Sequence, residues 1–498
     1  MAPRIRSLVI VLASSVLALV PAAQSALVGT WDGVHEPPGI VGGDPFSLQI
    51  ESDAGERVLG KLVLPGGTVP FEGRFERARG TLLFSAEVDG DRIEAELHLE
   101  GSELAGQATS GPWEWRFRAS RASEQILERS RAPRVVDLES AERPETFSLV
   151  GLETELGFEL DELIRAIAAK SKVIGVSVAC VVAGELVDVR SLGWEDFFAE
   201  IPASDETRYR WASISKTLSA TTALLLAARD TLDLDADVRE LVPEFPEKKV
   251  GDQVARITPR HILTHQSGIV HYEGARRTWR EYGKPHPFEE LATGLDLFQS
   301  SPLLAAPGTL FSYSTHAWTL LGVAMERAGK KRYAELVREQ VLEPLAMKTA
   351  EPDYPSHAIP HRAKGYEQRP DGTLVETWDD DVSWKLPGGG WISTVGDVAR
   401  FGAAWIGGRM LDDEQKRAAW TAQRLTDGTP TNQGLGFVVG ELDGERLVSH
   451  SGGQRKASSY LAVLPGRGLA VAAMCNTAGA PMGELAKAAL RLLMRRRN

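Results

Sequence analysis

Cysteine is almost missing from this chain: Cys180 and Cys475 are the only two among 498 residues. That excludes a disulfide-built scaffold, and without a C-x-x-C pair it excludes the common thiolate zinc and redox sites. The ten histidines are scattered, with no H-E-x-x-H, so a zinc-protease motif is missing as well. Both cysteines lie in apolar runs, Val176 to Val182 and Leu469 to Cys475, that read as buried strands and make them inert core thiols. Whether they pair is open from sequence alone. Positive charge is in deficit: 56 Lys and Arg against 68 Asp and Glu give a formal charge of −12, a poor surface for nucleic acid or anionic lipid. Long hydrophobic runs are missing too, except from Leu8 to Val20, which falls short of the roughly 20 residues that span a bilayer. Arg4 and Arg6 precede that run and Ala22-Ala23-Gln24-Ser25-Ala26 follows it. Residues 1–26 therefore read as a secretory signal, which implies an exported, periplasmic or extracellular protein with no membrane role beyond export. An uncleaved N-terminal anchor is the alternative.

What is present is an ordinary globular composition, 43% apolar and 25% charged, at a length that exceeds one hydrophobic core. From 27 to 119 the pattern has period two. Arg92 to Glu100 alternates strictly, Phe46 to Ile50 briefly, and Trp113 to Arg118 closes the region. With turn signals at Pro65-Gly66-Gly67, Asp89-Gly90 and Gly101-Ser102, this predicts a small antiparallel β domain of roughly six to eight strands, a sandwich or a barrel. Charges and prolines from 120 to 150 suit a linker.

The second domain, 151–498, begins with Leu156, Leu160, Leu163, Ile164 and Ile167 at helical spacing, followed by a strand at Val176 to Val182 and a return strand through Leu186 to Val189. Helices dominate from Ser213 to about Met347. Strands come back at Leu435 to Val439, Tyr460 to Pro465 and Leu469 to Cys475, and an amphipathic helix at Met482 to Met494 ends in Arg495-Arg496-Arg497, where positive charge suits a helix C-terminus. Strands from both ends with helices between them imply an α/β domain: one antiparallel sheet flanked by helices, with a separate helical lobe.

Three short stretches carry chemistry as a set. In Ser213-Ile214-Ser215-Lys216 the hydroxyl and the amine stand at i and i+3, on one face of the first turn of a predicted helix. A serine hydroxyl is a weak nucleophile until a base sits within hydrogen-bond reach, and Lys216 serves only if burial and neighbouring positive charge depress its pKa. The helix N-terminus favours developing negative charge, so the Ser213 amide is a first oxyanion donor. Tyr313 follows the turn at Pro307-Gly308, placed to relay a proton to a leaving group. In His450-Ser451-Gly452-Gly453 small residues let a substrate lie along a strand edge, with Ser451 and Gly452 beside it and the Gly453 amide as second oxyanion donor. His450 either holds Tyr313 in register or binds an anionic group of the substrate. Trp279, Tyr282 and Phe288 are expected to shape the pocket.

These motifs resemble those of the penicillin-recognising serine hydrolases, the serine β-lactamases, D-alanyl-D-alanine peptidases and related esterases. Ser-x-x-Lys matches Ser213 and Lys216, Tyr-x-Asn matches Tyr313, and the Lys/His-Thr/Ser-Gly motif matches His450 and Gly452. Thr258 to Ile269 and Gly388 to Asp397 resemble the family away from the chemistry, over about residues 155 to 495 in all. Gly268 to Glu273, Tyr313-Ser314-Thr315 and His450 to Gly453 are similar in particular to the mitochondrial β-lactamase-like serine proteins. The resemblance implies a β-lactamase/transpeptidase-like fold and an acyl-enzyme serine hydrolase that needs no metal or organic cofactor and takes a small-molecule or peptide substrate. Thr315 stands where most of the family has a substrate-binding Asn, and a hydroxyl cannot donate and accept across the same span. With His450 in place of Lys, a peptidase or esterase is expected rather than a dedicated β-lactamase. The competing reading is a catalytically weak or inactive binding or assembly protein that keeps the fold.

Overall fold

Alternating side chains in the first 121 residues do form strands, and those strands close on themselves. The computed structural model describes residues 29–36, 44–54, 57–64, 67–76, 78–88, 91–100, 103–110, 113–121, 134–138, 141–150, 152, 154–272, 290–354, 357–369, 371–377, 380–408 and 410–495. Residues 1–26, the turn residues Pro65-Gly66, Asp89-Gly90 and Gly101-Ser102, the aromatics Trp279, Tyr282 and Phe288, and Arg496-Arg497 lie outside them. The chain forms two units, one within Met1–Ala132 and one within Pro133–Asn498.

In the first unit β1 (Gly29–Glu36), β2 (Asp44–Ala54), β3 (Arg57–Leu64), β4 (Gly67–Glu76), β5 (Thr81–Val88), β6 (Asp91–Glu100), β7 (Glu103–Ser110) and β8 (Trp113–Arg121) pair in chain order. Strand β8 returns to β1 with Gly33 opposite Ala119. Of the two all-β forms expected, the barrel is the one adopted. Its interior is filled by Trp31, Leu48, Leu62, Phe71, Phe84 and Leu97, with the Phe71 and Phe84 ring centroids 4.5 Å apart. A Cβ on Gly60 would lie 2.6 Å from the Phe71 ring, so β3 crosses that ring only because it carries glycine there.

The second unit begins before the expected boundary, because part of the stretch 120–150 docks on it. Val135 bridges Val375, Arg134 pairs with Glu376 at 2.7 Å, and β9 (Glu145–Val150) adds to the main sheet. That sheet runs β12 (Ile201–Pro202), β11 (Glu185–Asp196), β10 (Gly175–Val182), β19 (Leu469–Cys475), β18 (Ala457–Leu464), β17 (Glu445–Gln454), β16 (Val438–Leu442), all antiparallel, with β9 also on β11. The central strands are continuously apolar because both faces are covered. Val176, Val178 and Cys180 join Val471, Ala473 and Cys475 under α1 (Thr154–Lys170) and α6 (Met482–Arg495). On the other face Ala179, Val181, Ala472 and Met474 pack with α2 (Ser215–Ala227), α4 (His316–Gly329) and α5 (Val395–Gly407). Cys180 faces Val471 and Cys475 faces Val176 across the ladder, so the thiols are out of register with each other; both are free and buried. Strand β16 starts at Val438, three residues after the expected Leu435, because Gly436 turns the chain with φ 81° and donates to Leu263 O. No helix among the described residues is long and apolar enough to cross a membrane.

Burial on α1 and α6 separates load from decoration. Leu490 is fully buried against the sheet and Phe158 on α1 is 62% exposed. Leu490→Ala is expected to lower the unfolding free energy by about 2–5 kcal/mol and Phe158→Ala by under about 0.5 kcal/mol, measured by urea titration.

Candidate active site

Ser213 does not open the long helix as expected. Ala212–Ile214 form one 3-10 turn and α2 starts after it, at Ser215. The turn is imposed from behind. Trp211 N–H donates to Trp391 O (2.8 Å), Trp211 O accepts from Ser459 Oγ (2.7 Å), and the Trp211 indole donates to Ser393 Oγ (2.6 Å). Upstream, the buried Arg210 guanidinium donates to Asp353 Oδ2 (2.5 Å) and to Asp380, which fixes the short strand β13 (Arg208–Arg210) in a small sheet with β14 (Glu351–Pro352) and β15 (Trp391–Thr394). With both sides pinned, Ala212 takes a left-handed φ of 47°, a strain of order 1–3 kcal/mol for a non-glycine residue. The next side chain, Ser213, is only half-buried.

Lys216 Nζ lies 3.1 Å from Ser213 Oγ, 3.2 Å from Thr315 Oγ1 and 2.6 Å from Gly388 O. The amine is fully buried, and no carboxylate among the described residues reaches it. Burial, reinforced by the positive charge of Lys385, holds its pKa well below the ordinary lysine value. A carbonyl can only accept. One N–H therefore goes to Gly388 and another reaches Thr315, so in its neutral form the amine would have a lone pair left for the Ser213 hydroxyl proton.

Tyr313 sits above this pair. Its ring centroid is 5.0 Å from Lys216 Nζ, and its phenol hydrogen-bonds Ser213 while burial raises its pKa. The loop that carries it is fastened to residues 265–271. Ser314 Oγ donates to Val270 O (2.9 Å), and Thr315 N–H donates to His271 Nδ1 (3.2 Å). The imidazole of His271 packs edge-on to Tyr313 and stacks on Tyr272 at 3.9 Å. Thr315 is buried with its hydroxyl against Lys216, so that side of it is committed to the amine.

His450 lies inside β17, past its midpoint, where the sequence suggested the start of a strand region. Its Nδ1–H donates to Ser451 O (2.6 Å), which leaves Nε2 as an unprotonated acceptor with no partner among the described residues. Burial, with Lys216 nearby, pushes the ring down to about 4. The rings in contact with Tyr313 are those of His265 and His271, so holding that phenol falls to them and not to His450. Gly452 packs on the Ala212–Ile214 turn: a Cβ there would stand 2.4 Å from Trp211 O and 3.2 Å from the Ala212 Cβ. Gly453 is the opposite case, with open space where its side chain would be, and Ser451 is exposed.

The structure thus gathers Ser213, Lys216, Tyr313, Thr315 and Gly452 around one point, with His450, Ser451 and Gly453 on the adjoining strand. It adds Gly388, Lys385, His265 and His271, which sequence reasoning did not assign. Gly388 and His265 fall in the two stretches that seemed remote from the chemistry; the signal was there as composition without a partner. A buried amine of depressed pKa in contact with a serine hydroxyl and a phenol is a proton-transfer assembly suited to attack on an acyl carbon.

Two outcomes follow from this packing. Gly452→Ala is expected to keep the fold by near-UV circular dichroism and to lower kcat/KM by about 100-fold, because the methyl must displace the Trp211–Ala212 backbone. Below pH 6.5 the unfolded chain protonates His450 and His271, which the folded chain holds neutral down to about 4. The stability present above pH 6.5 is therefore lost progressively as pH falls from 6.5 through about 4. In urea titrations across that window, His450→Gln is expected to flatten the slope.

Comparison with known proteins agrees with this geometry. The family model described as Beta-lactamase matches residues 160–494. The chain is 28% identical over 408 residues to the human serine beta-lactamase-like protein LACTB, mitochondrial, covering 62% of this chain and 74% of that protein. It is 31% identical over 229 residues to esterase EstB of Burkholderia gladioli, covering 44% of this chain and 57% of the esterase. Among solved structures, the octameric penicillin-binding protein homologue from Pyrococcus abyssi superposes with a TM-score of 0.58 at 25% identity, covering 68% of this chain and 77% of that one. The D-amino acid amidase from Ochrobactrum anthropi shares the fold with a TM-score of 0.58 at 22% identity, covering 69% of this chain and all of that one. This chain belongs to the Beta-lactamase family of serine hydrolases.

Proposed function

We propose that the protein cleaves an ester or amide through an acyl-enzyme on Ser213, as a peptidase or esterase rather than a dedicated β-lactamase. The observation that carries this reading is the 3.1 Å contact between Ser213 Oγ and the buried amine of Lys216. The lone pair of Lys216 takes the hydroxyl proton as Oγ attacks the acyl carbon. The Ser213 and Gly453 amides hold the oxyanion, with the open face at Gly453 leaving room for the substrate chain beside β17. Tyr313 passes the proton to the departing oxygen or nitrogen, and water then attacks the acyl-enzyme and releases the acid.

Two features favour an ester or a simple amide over a β-lactam. The Thr315 hydroxyl faces Lys216, so it is a poor substitute for an amide that would recognise an acylamino group. His450 is neutral at physiological pH, so that strand position offers no cation to a substrate carboxylate. The similarity to an esterase supports the same direction.

A fluorophosphonate probe, with the modified peptide located by mass spectrometry, tests this reading. Stoichiometric labelling at Ser213 is expected, with none in Ser213→Ala and a rate about 100- to 10,000-fold lower in Lys216→Met. Mass found on another residue would contradict it. Parallel assays of a short-chain ester, a D-Ala-D-Ala peptide and a chromogenic cephalosporin are expected to rank the cephalosporin last. Equal background rates for wild type and Ser213→Ala on all three would favour a binding protein.

A further inference from the structure

His265 touches the site in a way its position in the chain gives no hint of. It is 1% exposed, and it holds a left-handed φ of 55° without being glycine. Strain at a buried residue persists only where its surroundings impose it. Its backbone carbonyl accepts from Ser312 N–H at 2.8 Å, and its ring Nδ1 accepts from Ser314 N–H at 3.2 Å. The residue between those two donors is Tyr313, and the His265 ring lies stacked on the Tyr313 ring, with centroids 4.2 Å apart and planes 26° apart. One residue therefore grips both peptide neighbours of the phenol and its aromatic face.

We infer that His265 is a positioning residue for proton delivery: its three-point hold on Ser312, Tyr313 and Ser314 aims the Tyr313 hydroxyl at the leaving group. This rests on the acyl-transfer reading above. The left-handed backbone is what makes the hold geometrically available, because it turns carbonyl and ring toward the same loop. An imidazole serves better than a phenyl ring there, since Nδ1 supplies an acceptor in the plane of the stack. His265 also packs on Phe311 and Trp318, but its carbonyl, its Nδ1 and its stacked face go to the Tyr313 loop, and it acts through that phenol.

Leaving groups separate this role from general support. A p-nitrophenyl ester departs without protonation, whereas the ethyl ester of the same acid needs a proton at its oxygen. His265→Asn keeps an acceptor and tolerates the left-handed backbone but loses the stack; His265→Phe keeps the stack and loses the acceptor. Tyr313→Phe is the reference, and near-UV circular dichroism checks that each variant folds. Both His265 variants are expected to lose about 10-fold more kcat/KM on the ethyl ester than on the p-nitrophenyl ester, in the same direction as Tyr313→Phe. Equal losses on both esters, or none, alongside a biased Tyr313→Phe would overturn the role of His265 and leave the acyl-transfer reading standing. An unbiased Tyr313→Phe would overturn proton relay by the phenol, and this inference with it. If His265→Phe does not fold, His265→Asn alone decides.

Discussion

A primary amine buried with no counter-ion in reach among the described residues is the constraint on which this molecule turns. Desolvation disfavours an ammonium in such a place, and with the positive charge of Lys385 it holds the Lys216 pKa well below the ordinary lysine value. Its three polar neighbours are arranged for the neutral form. Gly388 O and Thr315 Oγ1 lie where they accept two of its N–H donors, and a free-base amine would turn its lone pair to Ser213. A chain with a surface lysine at the same i+3 spacing would have the motif and none of the chemistry.

The rest of the hydrolase unit can be understood as the means of keeping that amine dry and aligned. Its walls come from distant segments: the turn at Ala212–Ile214, the loop at Tyr313, the segment at Gly388 and the strand β17. Two left-handed non-glycine residues, Ala212 and His265, and the missing side chain at Gly452 mark where backbones press together around it. Such strain is tolerated because hydrogen bonds from Trp211 and ion pairs from Arg210 over-determine the local path.

Legibility in the sequence follows from how local each feature is. The contact between Ser213 and Lys216 was readable because both residues lie within one turn of chain. The central strands β10 and β19 and the helix α6 were readable because burial on two faces or one leaves an unbroken or periodic apolar pattern. The barrel could not be told from a sandwich, since closure of β8 on β1 depends on a register between residues nearly ninety positions apart. The same limit hid His265, Lys385 and Gly388, whose partners lie far along the chain and whose side chains or carbonyls carry no periodicity. Of the two roles open to His450, the contact with Tyr313 is made by His265 and His271 instead, because a lone histidine in sequence does not reveal which ring it faces. The onset of α2 was missed by two residues for a backbone reason: the left-handed Ala212 leaves a tight turn ahead of the helix.

The protonation state of Lys216 decides between a working assembly and an inert relic, and it can be observed without any substrate. Lysine labelled with 13C at Cε reports each amine by NMR as pH is raised, and the resonance absent from Lys216→Met belongs to this residue. That resonance is expected to titrate far below the ordinary lysine value of about 10.4, and to be in the free-base form at neutral pH. A Lys216 signal that titrates with the surface lysines would show a charged amine beside Ser213, and the proposed base would not exist.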